Sequence, residues 1–236
     1  MIPRECKRLI EVDFPIAAVS KHAAKEKSIR HGHPSTLHLW WARRPLASCR
    51  AVLLGLLLPD PCDEHCPADF KKQARRLLLA MRGRPDRWTK QIATDDGLQQ
   101  VVLQFIGDFA NWHNASDAGY LEVGRGLVKA AHPEETPLVV DPFAGGGSIP
   151  LEALRIGADA FASDLNPVAV LINRTLLEYA PTFKSELATL ISRWGGWINE
   201  QLRARLESTF PAKPTGLFPS CISGREPRSV KGRAAD

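Results

Sequence analysis

The chain has 236 residues, of which 44% are hydrophobic, so it is long and apolar enough for one large domain or two small ones. It has no run of about 18 or more apolar residues, and its first residues are polar, which argues against a membrane span, a membrane partner and a secretory signal. Five scattered cysteines, an odd number, are typical of free thiols in a reducing compartment, so we expect a cytoplasmic protein.

The net charge of +5 is unevenly distributed along the chain. Residues 1–90 contain 18 Lys and Arg against 9 Asp and Glu, whereas residues 91–210 contain 8 against 15. A basic N-terminal third is typical of proteins that bind a polyanion such as DNA. A solvated basic helix surface would give the same balance, so charge alone leaves both interpretations open.

The N-terminal part is predicted to be helical, with a first helix from Pro15 to Lys25. Residues 33–47, which we call the Trp/Arg segment, combine two tryptophans, two arginines and two histidines. A helix capped near Ser35 is expected there. Pro45 would break or kink it ahead of a second, apolar helix over residues 46–58.

Two interpretations of the Trp/Arg segment remain open. Its tryptophans could be plain core, since this residue type is mostly buried. Alternatively, Trp40, Arg43 and Arg44 wall a ligand site or contact a nucleic-acid backbone. Guanidinium groups offer planar pairs of donors that suit phosphate or carboxylate, which favours the second interpretation for the two arginines.

The stretch after the apolar helix looks like a helical insertion with a packing role. Helices are predicted over residues 70–81, 98–112 and 120–131, separated by Gly-containing and polar turns. Two cysteines and a histidine occur between Cys62 and Cys66. No second ligand pair follows nearby, so we interpret this sequence as a surface loop and expect no metal.

The most informative stretch is Val139–Ser148, which reads as a strand, a tight turn with three glycines and the start of a helix over residues 151–156. A second short strand, residues 160–164, ends in an acid. Asp164 follows Asp141 by 23 residues, close to the offset of about 20 residues expected for an acid that holds ribose hydroxyls. Asn166 then caps a predicted helix over residues 168–178.

The Gly-rich turn has three interpretations, which differ in the ligand that it binds. A dinucleotide site would have glycine where this chain has Pro150, and a turn without any ligand is the least specific interpretation. The order Asp-Pro-Phe-x-Gly-x-Gly instead resembles motif I of amino-methylating DNA methyltransferases. This resemblance implies S-adenosyl-L-methionine as cofactor, with the backbones of Gly145 and Gly147 at its amino-acid part and Asp164 at its ribose. The implied cofactor-binding residues are Asp141, Pro142, Phe143, Ala144, Gly145, Gly146, Gly147, Asp164 and Asn166.

Together, the Trp/Arg segment and the Gly-rich turn resemble a specific family, over about residues 5–60 and 120–210. This is the family of adenine-specific DNA methylases with a zinc ribbon, whose N-terminal region is a domain of unknown function 1156. The resemblance implies an α/β, helix-rich, partial Rossmann-like methyltransferase fold with few parallel strands. It also implies DNA as partner, a role in anti-phage defence, and a Trp/Arg helix that lines the methionine end of the cofactor.

Amino-methylating DNA enzymes need a second motif, Asp/Asn/Ser-Pro-Pro-aromatic, which holds the flipped base. The sequence contains no such tetrapeptide and no zinc ribbon, so no catalytic residue is assigned. We expect a truncated, cofactor-binding piece that does not methylate DNA alone. The catalytic half would come from another polypeptide, and other defence-system proteins are alternative partners. A non-catalytic nucleic-acid-binding or interaction protein, and less favourably an oxidoreductase, are the competing functions.

The expected organisation is a Trp/Arg-rich helical part (residues 1–60), a helical insertion (61–120), the cofactor-binding unit with its following helices (121–210) and a disordered tail (211–236). Within the third part, Ala180-Pro181 is predicted to end one helix. A further helix is expected over residues 187–206, bent near Gly195. The tail is expected to be a frameshift product, because the codons of residues 221–227, read one frame over, can encode a family-like Tyr-Leu-Trp-Ala-Arg-Thr.

Overall fold

A computed structural model describes residues 2–29, 32–83 and 85–207, and the predicted disordered tail lies outside these ranges. The described residues divide into two compact units, with the border between Pro181 and Thr182. None of the helices in the described ranges combines the length and apolar character needed to cross a membrane. The elements are α1 (Leu9–Val12), α2 (Ile16–Glu26), α3 (Leu46–Leu57), α4 (Ala68–Ala80), α5 (Trp88–Gln91), α6 (Asp95–Phe109), α7 (Ala118–Ala131), β1 (Leu138–Asp141), α8 (Ser148–Arg155), β2 (Asp159–Ala162), α9 (Pro167–Arg174) and α10 (Ala180–Glu207).

The core of the first unit is built mainly from helices. α3 is apolar on nearly all sides and packs against α2, α6 and α8, which explains why most of its residues are buried. α4 is amphipathic and packs on α7, with Phe70, Ala74 and Leu78 buried at four-residue spacing. The predicted helical insertion is therefore a part of the main core and not a separate layer.

Side-chain caps explain why two helices begin earlier than the apolar pattern predicts. The Thr94 hydroxyl accepts a hydrogen bond from the Gly97 amide at 3.1 Å, so α6 begins at Asp95. The Asp117 carboxylate accepts from the Gly119 amide at 2.9 Å, so α7 begins at Ala118. Both residue types are strong N-caps because their oxygens satisfy amides that have no partner within the helix.

The sheet consists of β1 and β2, which pair in parallel with Val139 opposite Ala160. The predicted strand–turn–helix–strand order is confirmed, and α8 packs on the sheet. Leu138, Val140 and Phe161 are exposed on the other face of the sheet. The mixed α/β, helix-rich architecture with few parallel strands is as expected, whereas a Rossmann-like methyltransferase fold needs more strands than the described residues contain.

The helix predicted within the Trp/Arg segment is wrong. Residues 34–36 form only a short 3₁₀ turn, and residues 37–45 are irregular, with the Arg43 amide donating to the Trp40 carbonyl at 3.1 Å. Pro45 contributes to this at one position, because it disfavours helical geometry for the preceding residue, Arg44. The chain therefore arrives at α3 as a loop, and α3 begins directly after the proline.

The break between two helices predicted at Ala180-Pro181 is present but lies a few residues later, at a kink at Lys184. A π-helical turn (Thr175–Tyr179) follows α9, and α10 begins at Ala180, which places Pro181 in a first turn where its missing N–H has no cost. The expected bend near Gly195 is absent. The backbone of α10 departs from helical geometry at Lys184 instead, with φ 47° and ψ −123°.

Candidate functional site

The Gly-rich turn connects β1 to α8 and is fixed by backbone hydrogen bonds. The Ala144 amide donates to the Ser163 carbonyl at 3.0 Å, and the Gly147 amide donates to the Ala144 carbonyl at 2.8 Å. Gly145 and Gly147 have φ values of +48° and +76°, in the left-handed region where glycine is strongly preferred. The turn therefore follows β1 directly and lies beside the residue that follows β2.

Asp164 lies at the centre of this arrangement. Its Oδ2 accepts from the Gly145 amide at 2.8 Å, and its Oδ1 accepts from the Asn166 amide at 2.9 Å. These amides, first that of Asn166 and then that of Gly145, hold the pKa of Asp164 below its ordinary value, so the group is ionised at neutral pH. An ionised carboxylate has about four acceptor positions, which leaves room for donors from a ligand.

The other predicted residues around the turn have mainly local roles. Asp141 accepts from the Phe143 amide at 3.2 Å, and the Pro142 carbonyl accepts from the Ser163 hydroxyl at 3.3 Å. Asn166 caps α9 by accepting from the Val168 amide at 2.9 Å. Phe143, by contrast, is 80% exposed and projects from the turn into solvent.

Asn173 is a residue of the site that the sequence interpretation did not include. Its amide nitrogen donates to the Gly145 carbonyl at 3.0 Å and to the Ala169 carbonyl at 2.8 Å. A β-carbon placed on Gly147 would come within 2.7 Å of the Asn173 Oδ1. Asn173 thus ties α9 to the turn. The one sequence signal for it was a polar residue on the apolar side of a predicted helix.

The Trp/Arg segment meets the Gly-rich turn although about 100 residues separate them. A β-carbon on Gly145 would lie 2.7 Å from the Nε1 of Trp40, and one on Gly146 would lie 2.8 Å from the guanidinium carbon of Arg43. The two side chains therefore lie directly against the turn. Arg44 is exposed, so the structure brings together two of the three predicted wall residues.

Arg43 has an unusual environment for an arginine. Its Nε and both Nη atoms are shielded from solvent and have no hydrogen-bond partner. Burial lowers the pKa of Arg43, against the opposing field of the Glu26 carboxylate. Lys27, Arg43 and Arg44 line a surface cavity of about 210 Å³ beside the turn.

Glu26 forms hydrogen bonds with both ends of the Trp/Arg segment. This buried carboxylate accepts from the Leu46 amide at 2.7 Å and from the Ala47 amide at 2.9 Å, so it caps α3 from another helix. It also pairs with His33 at 2.8 Å. Burial alone would raise the pKa of Glu26, but the hydrogen bonds from His33 and the two amides keep it below its ordinary value.

The sequence from Cys62 to Cys66 brings no metal site together. Among residues 2–29, 32–83 and 85–207, no group of three or more His, Cys, Asp or Glu side chains is arranged to hold a metal ion. The Cys62 thiol instead donates to Asp96 at 3.3 Å. Burial and this hydrogen bond raise the pKa of Cys62 to about 12, so the thiol stays protonated.

A family model described as protein of unknown function (DUF1156) matches residues 13–81. The match supports a relation to this family for residues 13–81. No curated protein and no solved structure matches the chain. The DUF1156 region comprises α2, the Trp/Arg segment, α3 and α4, so it supplies Glu26 and Arg43 to the site. The Gly-rich turn and Asp164 lie outside it.

Proposed function

We propose that this chain binds S-adenosyl-L-methionine at the Gly-rich turn and is the cofactor-binding part of a DNA adenine methyltransferase. The observation that carries the proposal is the 2.8 Å hydrogen bond from the Gly145 amide to Asp164. It joins the turn after the first parallel strand to the acid after the second, at the edge where α/β sheets bind ligands.

The residues at this edge fit the cofactor. Asp164 is ionised and has acceptor positions for the ribose hydroxyls. Gly145, Gly146 and Gly147 let Trp40, Arg43 and Asn173 approach the turn closely, so polar groups of distant elements gather beside Asp164. Pro150 stands where a dinucleotide site has glycine, which favours a ligand without a pyrophosphate. When bound, the cofactor supplies the methyl group, and the residues of this chain hold and orient it.

Methyl transfer to an adenine amino group also needs a polar residue and an aromatic residue that hold the flipped base. The sequence has no Asp/Asn/Ser-Pro-Pro-aromatic motif for that task. The proposal therefore assigns cofactor binding to this chain and assigns the base-holding step to residues outside it.

Replacing Asp164 by alanine is expected to weaken binding of S-adenosylhomocysteine by up to about a hundredfold, because the ribose hydroxyls would lose their acceptor. Isothermal titration calorimetry on the purified chain measures the change. Asp159→Ala is the matched control, since Asp159 is exposed at the start of β2, away from the turn. Unchanged affinity in the Asp164 variant would remove this residue from the site.

Weak, sequence-independent DNA binding is expected from the basic N-terminal third, with Lys27 and Arg44 exposed beside the cavity. Its logarithmic affinity should fall linearly with the logarithm of salt concentration, because bound counterions are released. Fluorescence anisotropy with a labelled duplex at several salt concentrations measures this slope.

Arg44→Ala is expected to lower the magnitude of that slope by about one, as loss of a single phosphate contact does. Arg76→Ala on α4 is the control, because it removes an exposed charge of the same kind from another surface. Equal effects of both variants, or no binding at low salt, would show that the basic residues near the turn are only a solvated surface.

A further inference from the structure

The guanidinium of Arg43 is a buried cation without an anionic partner. It lies against the backbone of Gly146, and its three nitrogens are shielded from water without any hydrogen-bond partner. A buried charge without a partner is strongly unfavourable, and native structures keep one where a ligand or ion completes it. The residues of the site do not supply this anion.

Glu26 is the acid whose field reaches Arg43, but its oxygens are occupied elsewhere. One oxygen accepts from His33 and the Leu46 amide, and the other accepts from the Ala47 amide. Turning Glu26 toward Arg43 would uncap α3. Glu26 therefore does not serve as the hydrogen-bond partner of the Arg43 guanidinium.

A second polar group at the turn has no partner either. Ser148 is 4% exposed, begins α8 directly after Gly147, and its hydroxyl has no hydrogen-bond partner. Arg43 and Ser148 thus border the same glycines, one from the Trp/Arg segment and one from α8. Two unsatisfied donors beside the same Gly-rich turn favour a small anionic group as their partner.

We propose that Arg43 binds the carboxylate of the ligand's amino-acid part, and that it thereby selects ligands that carry this group. The inference rests on the proposed function, because it takes the ligand to be S-adenosylmethionine. A guanidinium presents two parallel N–H donors that match a planar carboxylate, and such pairs are the stronger class of hydrogen bond. Arg43 is then a specificity residue supplied by the DUF1156 region to a turn outside that region.

Two ligands that differ in this one part test the proposal. S-adenosylhomocysteine carries the amino-acid carboxylate, whereas 5′-methylthioadenosine keeps the adenosine and the thioether but lacks the amino-acid part. Calorimetry on Arg43→Met should show S-adenosylhomocysteine binding weakened by about 10- to 150-fold, the range for a charged hydrogen bond. Binding of 5′-methylthioadenosine should change less than about twofold on the same argument.

Three variants control the measurement. Arg76→Met removes an exposed charge on α4, away from the turn, and should leave both affinities unchanged. Asp164→Ala should weaken both ligands, because both carry the ribose. Arg43→Lys keeps the charge without the planar fork, so it should weaken S-adenosylhomocysteine by an intermediate factor, and it serves as the test variant if the methionine variant does not fold.

The outcomes separate the inference from the function on which it rests. Equal weakening of both ligands in the Arg43 variants, or no weakening of either, overturns the role of Arg43 and leaves the proposed cofactor site standing. If the Arg43 variants keep their affinity for S-adenosylhomocysteine but show a shallower salt dependence of DNA binding, Arg43 contacts phosphate. That result would also overturn the proposed carboxylate-binding role. Wild-type protein that binds neither ligand overturns the proposed function and the inference together.

Discussion

Replacing Arg50 by methionine is expected to lower the free energy of unfolding by about 3–5 kcal/mol. Arg50 is 1% exposed and pairs at 3.2 Å with Glu152, which is 0% exposed. The guanidinium also donates to the Ala110 carbonyl at 3.4 Å and lies 4.7 Å from the centre of the Phe109 ring. Its removal leaves a carboxylate in the core without its main counter-charge.

Urea denaturation followed by circular dichroism measures this loss. The double variant Arg50→Met with Glu152→Met should be more stable than Arg50→Met alone, because it removes both charges and keeps the volume. Arg155→Met is the control, since Arg155 pairs with Glu152 at 3.4 Å from a partly exposed position and should cost less than about 1 kcal/mol. A loss below about 1 kcal/mol for Arg50→Met would contradict the buried-pair interpretation.

The pH dependence of the Arg50 variant follows from the state of Glu152. Burial raises the pKa of Glu152, against the opposing effect of Arg50 and Arg155. Without Arg50 the carboxyl is more readily kept neutral, so the folded variant binds a proton that the unfolded chain releases. A group with a raised pKa in the folded state loses its stabilising effect as the pH rises. The destabilisation by Arg50→Met should therefore be larger at pH 8 than at pH 5.

Replacing Gly147 by alanine is expected to cost about 2–4 kcal/mol of folding free energy, the combined effect of a left-handed backbone and an overpacked contact. Gly147 has φ +76°, and the added β-carbon would lie 2.7 Å from the Asn173 Oδ1. Asn173 would have to move, and its hydrogen bond to the Gly145 carbonyl would weaken. Binding of S-adenosylhomocysteine should fall with it, because the turn would lose its shape.

Gly83→Ala separates the two contributions. Gly83 has nearly the same φ, +73°, but no atom lies within 4 Å of an added β-carbon. Gly83→Ala should therefore lower the free energy of unfolding only by the cost of the left-handed backbone, about 1–2 kcal/mol. Chemical denaturation of both variants gives the difference directly. If the two variants are equally destabilised, the contact between Gly147 and Asn173 has no energetic weight.

The parts of the site that could be predicted from sequence are those formed by neighbouring elements. β1, the Gly-rich turn, α8 and β2 follow one another within about 25 residues, and their order limits how they can pack. That is why the spacing predicts that Asp164 lies at the same edge of the sheet as the turn, although its hydrogen bond to the Gly145 amide was not predicted. Asn173 was not predicted because its role depends on how α9 packs against the turn. Local sequence patterns do not determine that packing.

The long-range parts could not be predicted in detail. The expectation that Trp40 and Arg43 wall a ligand site came from residue types, whereas their contacts with Gly145 and Gly146 depend on the packing of α3 against α8. A good cap and an aromatic run favour a helix in the Trp/Arg segment, but they do not form one in the structure, and Pro45 disfavours helical geometry for the residue before it. Arg50 in an otherwise apolar helix was a signal of a buried partner, but spacing alone does not identify Glu152.

The ion pair between Arg50 and Glu152 sets a limit on how this chain can be divided. Arg50 lies inside the DUF1156 region and Glu152 lies in α8, well beyond its end. The border of the sequence family is therefore not the border of a folding unit. Recombination or excision between residues 81 and 138 would separate a buried cation from its anion and would open the α3–α8 contact. We therefore expect that neither region folds stably without the other.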